Sequence, residues 1–454
     1  MRAQRTPLLP EARLILKLAW PVMLTSLNWT LMHLIDVAVV GQAGTGELGA
    51  LAAGRTLTYI TIVMGLAALS GVLVFTSRAD GAGDRGATGE YLRQGLLYGL
   101  LLSLPCLIVL LVWAESLLRM IGVPAALAEE GGAVVRAMAL AYPFQFVQVA
   151  ASYFLEGVSR PRRVMVVNLA TLPLNALLAW AWVGGHLGLP AKGAVGAVLA
   201  TAVVSGLGAA GMLFAAWTLP DAGARGVKDL SRDAWKRAFA HLGLHIRFGT
   251  VPAIGSGLEL AGFSWLIVLS TQLGDVAAAA FQTVFSLHNF AFSMALGFAS
   301  AAGVRAGNAV GAGVPELAMP RSLIAAGLAV LSMGGVGLIF WLAGAHLVAG
   351  FSTDPAVVTL ATTLLLMLAP FMFFDGVQAV LVYALRSLGD QIWAGINGII
   401  AFFLITSGLG WYLVRSGEGA EALIHAIVAG MIAAALLQGG RLWLVSARLS
   451  PNRG

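Results

Sequence analysis

Residues 193–220 read GAVGAVLATAVVSGLGAAGMLFAAWTLP, a run without one Asp, Glu, Lys or Arg. A helix needs about 20 mostly apolar residues to cross a bilayer, so this run is long enough to span. Working outward, further uncharged runs of 18 or more residues lie at 18–35, 56–77, 94–114, 137–155, 164–191, 276–304, 322–353, 355–374, 391–414 and 422–440. A twelfth, 248–274, is broken only by Glu259. Apolar sequence resumes behind Asp36 (37–46) and Asp375 (376–385). The pattern predicts twelve membrane-spanning helices, with Asp36 in span 1, Glu259 in span 7 and Asp375 in span 10.

Composition agrees. Of 454 residues, 59% are hydrophobic and 11% charged, where soluble proteins carry roughly 25% charged residues. The single cysteine, Cys106, excludes an intrachain disulfide framework and a multi-cysteine metal site. The net charge of +6 does not point to nucleic acid, because the basic residues sit between the spans. The polar start, MRAQRTPLLPEAR, leads into an apolar run without a small-residue cleavage site, so no cleaved signal peptide is expected.

Lys and Arg set the orientation. The N-terminus, the even-to-odd loops and the C-terminus hold 22 of the 27. The opposite side holds only Arg55, Arg119, Arg136, Lys192 and Arg415. Both termini are expected in the cytoplasm. Residues 221–247 form the longest polar link, with Trp235, Phe239, Leu242 and Ile246 at helical spacing near Arg232, Lys236 and Arg237. This fits either a cytoplasmic interfacial helix or a plain linker with a helical turn.

The two halves repeat at an offset near 230. Pro21 pairs with Pro252, GAGD at 81–84 with GAGV at 311–314, Pro124 with Pro355, Pro143 with Pro370, and Asn168 with Asn397. Each half holds six spans, an even number, so both halves start on the same side and the repeat is parallel. The expected organisation is an all-α membrane protein of two six-helix pseudo-symmetric lobes around a central cavity. The amino-terminal lobe covers 1–220, a cytoplasmic linker 221–244 and the carboxy-terminal lobe 245–454. The loops GAGD and GNAVGAG follow no strand and lack GxxxxGK[ST], so they read as tight turns rather than phosphate loops.

A charge at the bilayer centre costs roughly 2.5–3.5 kcal/mol on insertion scales. Asp36, Glu259 and Asp375 should therefore face protein or a water-filled cavity, where a cation or proton can meet them. The repeat separates the three. Glu259 falls on Asn28, Asp375 on Gln148, and Asp36 on Ile267. The frame is doubled and the charges are not, which favours an ion site in the second half. Carboxylate and carbonyl oxygens suit a hard cation such as Na+, and a buried carboxyl can also carry a proton. Pro21, Pro252 and Pro370 interrupt their helices and are candidate hinges. His33 shares a helix face with Asp36, and a buried hydrogen bond between the two is expected for it. Asn175 and Gln282 are polar cavity candidates, Phe285 an aromatic one; Trp265, His288, Asn289, Phe292 and Met294 carry weaker signals.

These residues, in this order and spacing, resemble the multidrug and toxic compound extrusion family, in its NorM-like branch. The likeness rests on WP…DVAVVGQAG in span 1, YFLEGVSRPRRVMVVN across spans 4 and 5, GAVGAVLAT in span 6, MALGFASAAGVRAGNAVGAG closing span 8, and FDGVQAVLVYALRSLGDQ in span 10. The resemblance implies export of amphipathic organic cations in exchange for inward Na+ or H+, from a bacterial-type inner membrane. Glu259 and Asp375 match the acids that bind the coupling cation, Na+ included. Asp36 and Asn175 match the span 1 acid and the span 5 asparagine. With Asn28, Gln282, Phe285 and Phe371 they form the expected substrate-contacting set. Two positions depart from the family: Ala179 stands where an acid is often found, and Phe371 where some relatives carry tyrosine.

No resident cofactor and no partner beyond small cations and lipid are expected, and the chain should work as a monomer. Neither HExxH nor GxSxG occurs, which excludes the common intramembrane hydrolases. The alternative is an exporter or flippase of the same fold for an endogenous metabolite or a lipid-linked substrate. A reporter fused to the C-terminus should be active in the cytoplasm; an external signal would overturn the twelve-span count or the orientation.

Overall fold

Lipid offers no hydrogen-bond partner, so a spanning segment must satisfy its backbone within itself. The computed structural model describes residues 7–449, and no strand occurs among them. Arg2, Arg5 and Arg453 of the charge count lie outside the described residues. The first half contains α1 (Leu8–Gly41), α2 (Thr45–Gly81), α3 (Arg85–Met120), α4 (Ala125–Ala139), α5 (Tyr142–Gly157), α6 (Pro161–Gly184) and α7 (Gly193–Trp217). After α8 (Arg232–Ala240) come α9 (Gly243–Gln272), α10 (Asp275–Gly311), α11 (Ala318–Ala349), α12 (Pro355–Leu368), α13 (Met372–Ser387), α14 (Gln391–Gly398), α15 (Ser407–Arg415) and α16 (Glu421–Leu449). A 3-10 turn, Ala369–Phe371, joins α12 to α13, and a π-helical stretch, Ile399–Thr406, joins α14 to α15.

By length and composition, eleven of these stretches can cross a membrane, or twelve when α4 and α5, bent by 46°, count as one. The expected run 137–155 falls across that bend. Pro143 has no N–H, and its ring clashes with the carbonyl four residues earlier. That residue is Ala139, where α4 ends. The loops at 81–84 and 311–314 are tight turns, with Gly83 and Gly313 both at φ 74°, the left-handed region that glycine enters without strain.

The chain forms two compact units: Leu27–Ala253, the amino-terminal unit, and Met1–Ser26 with Ile254–Gly454, the carboxy-terminal unit. The boundaries differ from lobes at 1–220 and 245–454. Within α1 the chain passes between units five residues after Pro21, and within α9 one residue after Pro252. The start of α1 packs on α10 inside the carboxy-terminal unit. A Cβ at Gly297 would lie 2.4 Å from Met23 Cγ and 2.7 Å from the Ala19 carbonyl oxygen. The start of α9 packs on α2 inside the amino-terminal unit, where a Cβ at Gly249 would lie 2.2 Å from the Ala68 carbonyl oxygen. The two contacts are related by the repeat, since 249 − 19 = 230 and 297 − 68 = 229. Glu11 adds a charged anchor to α1, accepting from Arg305 Nε at 2.5 Å and Nη2 at 2.8 Å.

The polar link is ordered and belongs to the amino-terminal unit. Arg225, 6% exposed, is held by Asp80 and Asp221, each at 2.8 Å. Arg93 Nη1 donates to the Gly226 carbonyl at 2.6 Å. The Ser231 hydroxyl caps α8 by accepting from Ala234 N at 3.3 Å, and hydrogen bonds from Ser231 hold the Asp229 carboxyl below the usual carboxylate range. The link does form a helix, α8, with Ala234 and Ala238 buried while Phe239, Lys236 and Arg237 face outward.

Gly297→Ala should lower the melting temperature of the purified protein, since overpacking a tight contact costs about 1–3 kcal/mol. Gly327→Ala, with nothing within 4 Å of its Cβ, should not. Equal melting curves for the two variants would refute the close-approach account.

Candidate functional site

Pro370 ends the helical run in the 3-10 turn Ala369–Phe371, and α13 restarts at Met372. Asp375 thus falls in the first turn of α13. The side chain is buried, at 3% exposure. Its Oδ2 lies 2.9 Å from Nε2 of His288 on α10, and its Oδ1 accepts from Gln378 Nε2 at 3.0 Å. His288 is itself buried, and its Nδ1 has no hydrogen-bond partner. Phe263, Phe285 and Phe292 surround the imidazole at ring-centroid distances of 6.2–6.4 Å.

Glu259 lies on α9, seven residues beyond Pro252, and is half-buried in the same unit. Its electrostatic neighbours are Asp375 and Arg386. No hydrogen bond or ion pair holds its carboxylate among the described residues. Two carboxylates therefore share the interior of the carboxy-terminal unit with one guanidinium, a formal charge of −1 when His288 is neutral. No group of three or more His, Cys, Asp or Glu side chains arranged for a metal occurs among the described residues. A Na+ here would take its remaining ligands from neutral oxygens.

Asp36 is a different environment. It is 3% exposed, and four helices of the amino-terminal unit meet at it. Arg55 Nη2, from α2, is 2.8 Å from Oδ2, and Asn175 Nδ2, from α6, donates to Oδ1 at 3.0 Å. Thr201 on α7 reaches Asn175 Oδ1 at 3.5 Å, and Arg55 Nη1 donates to the His33 carbonyl at 3.3 Å. The sequence reading counts Arg55 as a loop cation outside span 2. The structure corrects this: α2 starts at Thr45, and Arg55 lies inside the helix, paired with a buried acid. His33 makes no bond to Asp36, and its Nδ1 has no partner.

The repeat-related residues Asn28 and Gln148 come together. Both line a small cavity of about 20 Å³ in the amino-terminal unit with Gln145, Asn168, Thr171 and Thr201. Gln148 Nε2 donates to Asn168 Oδ1 at 3.0 Å, and Asn28 Oδ1 is buried without a partner. Thus both units bring the same two repeat positions together, once as acids and once as amides. Phe285 and Phe371 are half-buried; Gln282, Asn289 and Trp265 are exposed. Phe292 and Met294 pack against the core of the carboxy-terminal unit. A larger cavity of about 490 Å³, lined by Glu90, Tyr91, Gln94 and His241 among others, holds none of the expected residues.

Two neighbours of the candidate acids stand out less in the sequence than in the structure. Arg55 carried a readable signal, because LGALAAG at 48–54 extends the apolar run in front of it. His288 and Asp375 are 87 residues apart, and nothing local joins them.

The MatE family model matches the chain twice, at residues 21–181 and 253–411, in keeping with the internal repeat. A probable multidrug resistance protein NorM of Caulobacter vibrioides is 32% identical over 446 residues, covering 95% of this chain and 92% of the relative. Multidrug resistance protein PmpM of Pseudomonas aeruginosa is 27% identical, covering 94% and 90%. Among solved structures, the eukaryotic MATE transporter AtDTX14 superposes with a TM-score of 0.87 at 21% identity, covering 98% of this chain and all of its own. An outward-facing multidrug resistance MATE family transporter of the MOP superfamily also gives 0.87, at 20% identity and 97% coverage of each chain. With both halves matched by the family model, and a relative at 32% identity along nearly the whole length, the chain belongs to the MatE family of membrane transporters.

Proposed function

We propose that this transporter is a secondary active antiporter that exports amphipathic organic cations in exchange for inward Na+ or H+. The observation that supports the reading is that Glu259 and Asp375 lie within electrostatic reach of each other in the carboxy-terminal unit, the first carboxylate without a hydrogen bond among the described residues and the second held by His288 and Gln378. Like charges in a poorly screened interior repel strongly. One mobile cation or proton relieves that repulsion and balances the formal charge of −1. An organic cation could balance it equally well, so the two compete for one charge deficit. The names of the relatives, multidrug resistance proteins, support a drug-like cargo.

Competition becomes transport only if the coupling ion prefers one conformation of the carrier. Pro21, Pro252 and Pro370 are the proposed bending points. The first two lie within five residues of where α1 and α9 change compact unit, and the third sits in a helix break. Phe285, with Phe263 and Phe292 on the same wall, supplies an aromatic surface for an apolar cation. The placement proposed is a bacterial inner membrane with both termini in the cytoplasm, on the strength of the Lys and Arg asymmetry.

In proteoliposomes, accumulation of a fluorescent organic cation such as ethidium should follow an imposed Na+ gradient or an imposed pH gradient, and the gradient that works identifies the ion. Absence of accumulation under both would reject ion-coupled export. Glu259→Gln and Asp375→Asn should each reduce gradient-driven accumulation to the level of empty liposomes at unchanged protein yield. Wild-type transport by the Asp375→Asn variant would remove the pair from the mechanism.

A further inference from the structure

We infer that Arg55 is a tethered counter-cation. Its guanidinium occupies the place at Asp36 that a mobile monovalent cation would take, and so leaves the carboxy-terminal acids as the single site for a coupling metal ion. The last clause rests on the antiport reading above; the occupancy of Asp36 by Arg55 does not.

The geometry is that of a filled site. Asp36 is 3% exposed, Asn175 is fully buried, and each Asp36 oxygen already accepts from a side chain, at 2.8 Å and 3.0 Å. Arg55 is the one charged group that Asp36 feels among the described residues. The pair is formally neutral, in contrast to the charge of −1 around Glu259 and Asp375. A guanidinium does not deprotonate in proteins and cannot diffuse away, so it cannot be exchanged during a transport cycle as Na+ can. Ala179, fully buried one turn beyond Asn175, adds no second acid that would leave charge for a further cation.

The repeat shows that the fold does not require this pair. Asp36 corresponds to Ile267, and Arg55, at an offset of 230, to Phe285. Asn175, at 229, corresponds to Leu404. The same frame is thus built with apolar residues in the carboxy-terminal unit. Buried ion pairs can often be replaced by apolar residues with no loss of stability, whereas removing one partner is strongly destabilising. The pair is therefore better explained by control of charge at Asp36 than by a need of the helix bundle.

The test uses the purified full-length chain and reads thermal melting in NaCl or LiCl against choline chloride at equal ionic strength. Arg55→Met should melt several degrees below wild type, and the double variant Asp36→Asn/Arg55→Met should recover most of that loss. Na+ or Li+ should raise the melting temperature of Arg55→Met by more than that of wild type, and the excess should vanish in the double variant. If Arg55→Met does not fold, recovery of folded protein in the double variant supports the inference equally. A double variant as unstable as Arg55→Met, or no excess response to Na+ or Li+, would overturn it. So would an Asp36→Asn variant, with Arg55 intact, that loses part of the wild-type response. Melting is independent of transport, so this result and the failure of the export reading are distinguishable.

Discussion

A charge taken out of water must find its partner inside the protein, and the rest of this structure is arranged around that demand. Several charged side chains meet it with a fixed partner. Glu11 is clasped by Arg305, Arg225 by Asp80 and Asp221, Arg441 by Asp390, and Asp36 by Arg55 and Asn175. Asp375 is held by two neutral-capable donors rather than by a cation. Glu259 has no such bond among the described residues. A carboxylate left without a fixed partner is the natural place for a partner that comes and goes.

The duplicated frame makes the contrast sharper. Repeat-related contacts recur inside the two units, Ala19 with Gly297 in one and Gly249 with Ala68 in the other. The residues at the sites are not copied. Where the carboxy-terminal unit has Glu259 and Asp375, the other has Asn28 and Gln148 around a cavity of about 20 Å³, room for about one water molecule. Where the amino-terminal unit has Asp36 and Arg55, the other has Ile267 and Phe285. One backbone plan thus carries two charge plans.

The spans, the repeat and the three acids were all readable in the chain. Hydrophobic runs are local, and their length alone decides whether a helix can cross. Proline placed the breaks: Pro143 splits α4 from α5, and Pro370 splits α12 from α13. The boundaries of the compact units were not readable in the same way. Nothing in residues 7–26 says that they pack with the second half; that follows from a glycine on α10 some 270 residues away. The ranking of the polar residues was also incomplete. His288 looked like one weak signal among several, and it proved to be the direct partner of Asp375.

By itself, the sequence determined the class of protein, the doubled frame and which acids are held within apolar helices, because each of these depends on neighbours a few residues apart. The tertiary structure alone decided which acid is already neutralised. Asp36 and Glu259 look alike in the chain, each a lone carboxylate in an apolar run. They differ because α2 delivers a guanidinium to one of them, while the other feels the charge of a second carboxylate on α13. The energy of a buried charge is set by the groups within a few ångströms of it, and those groups come from helices that only folding brings together.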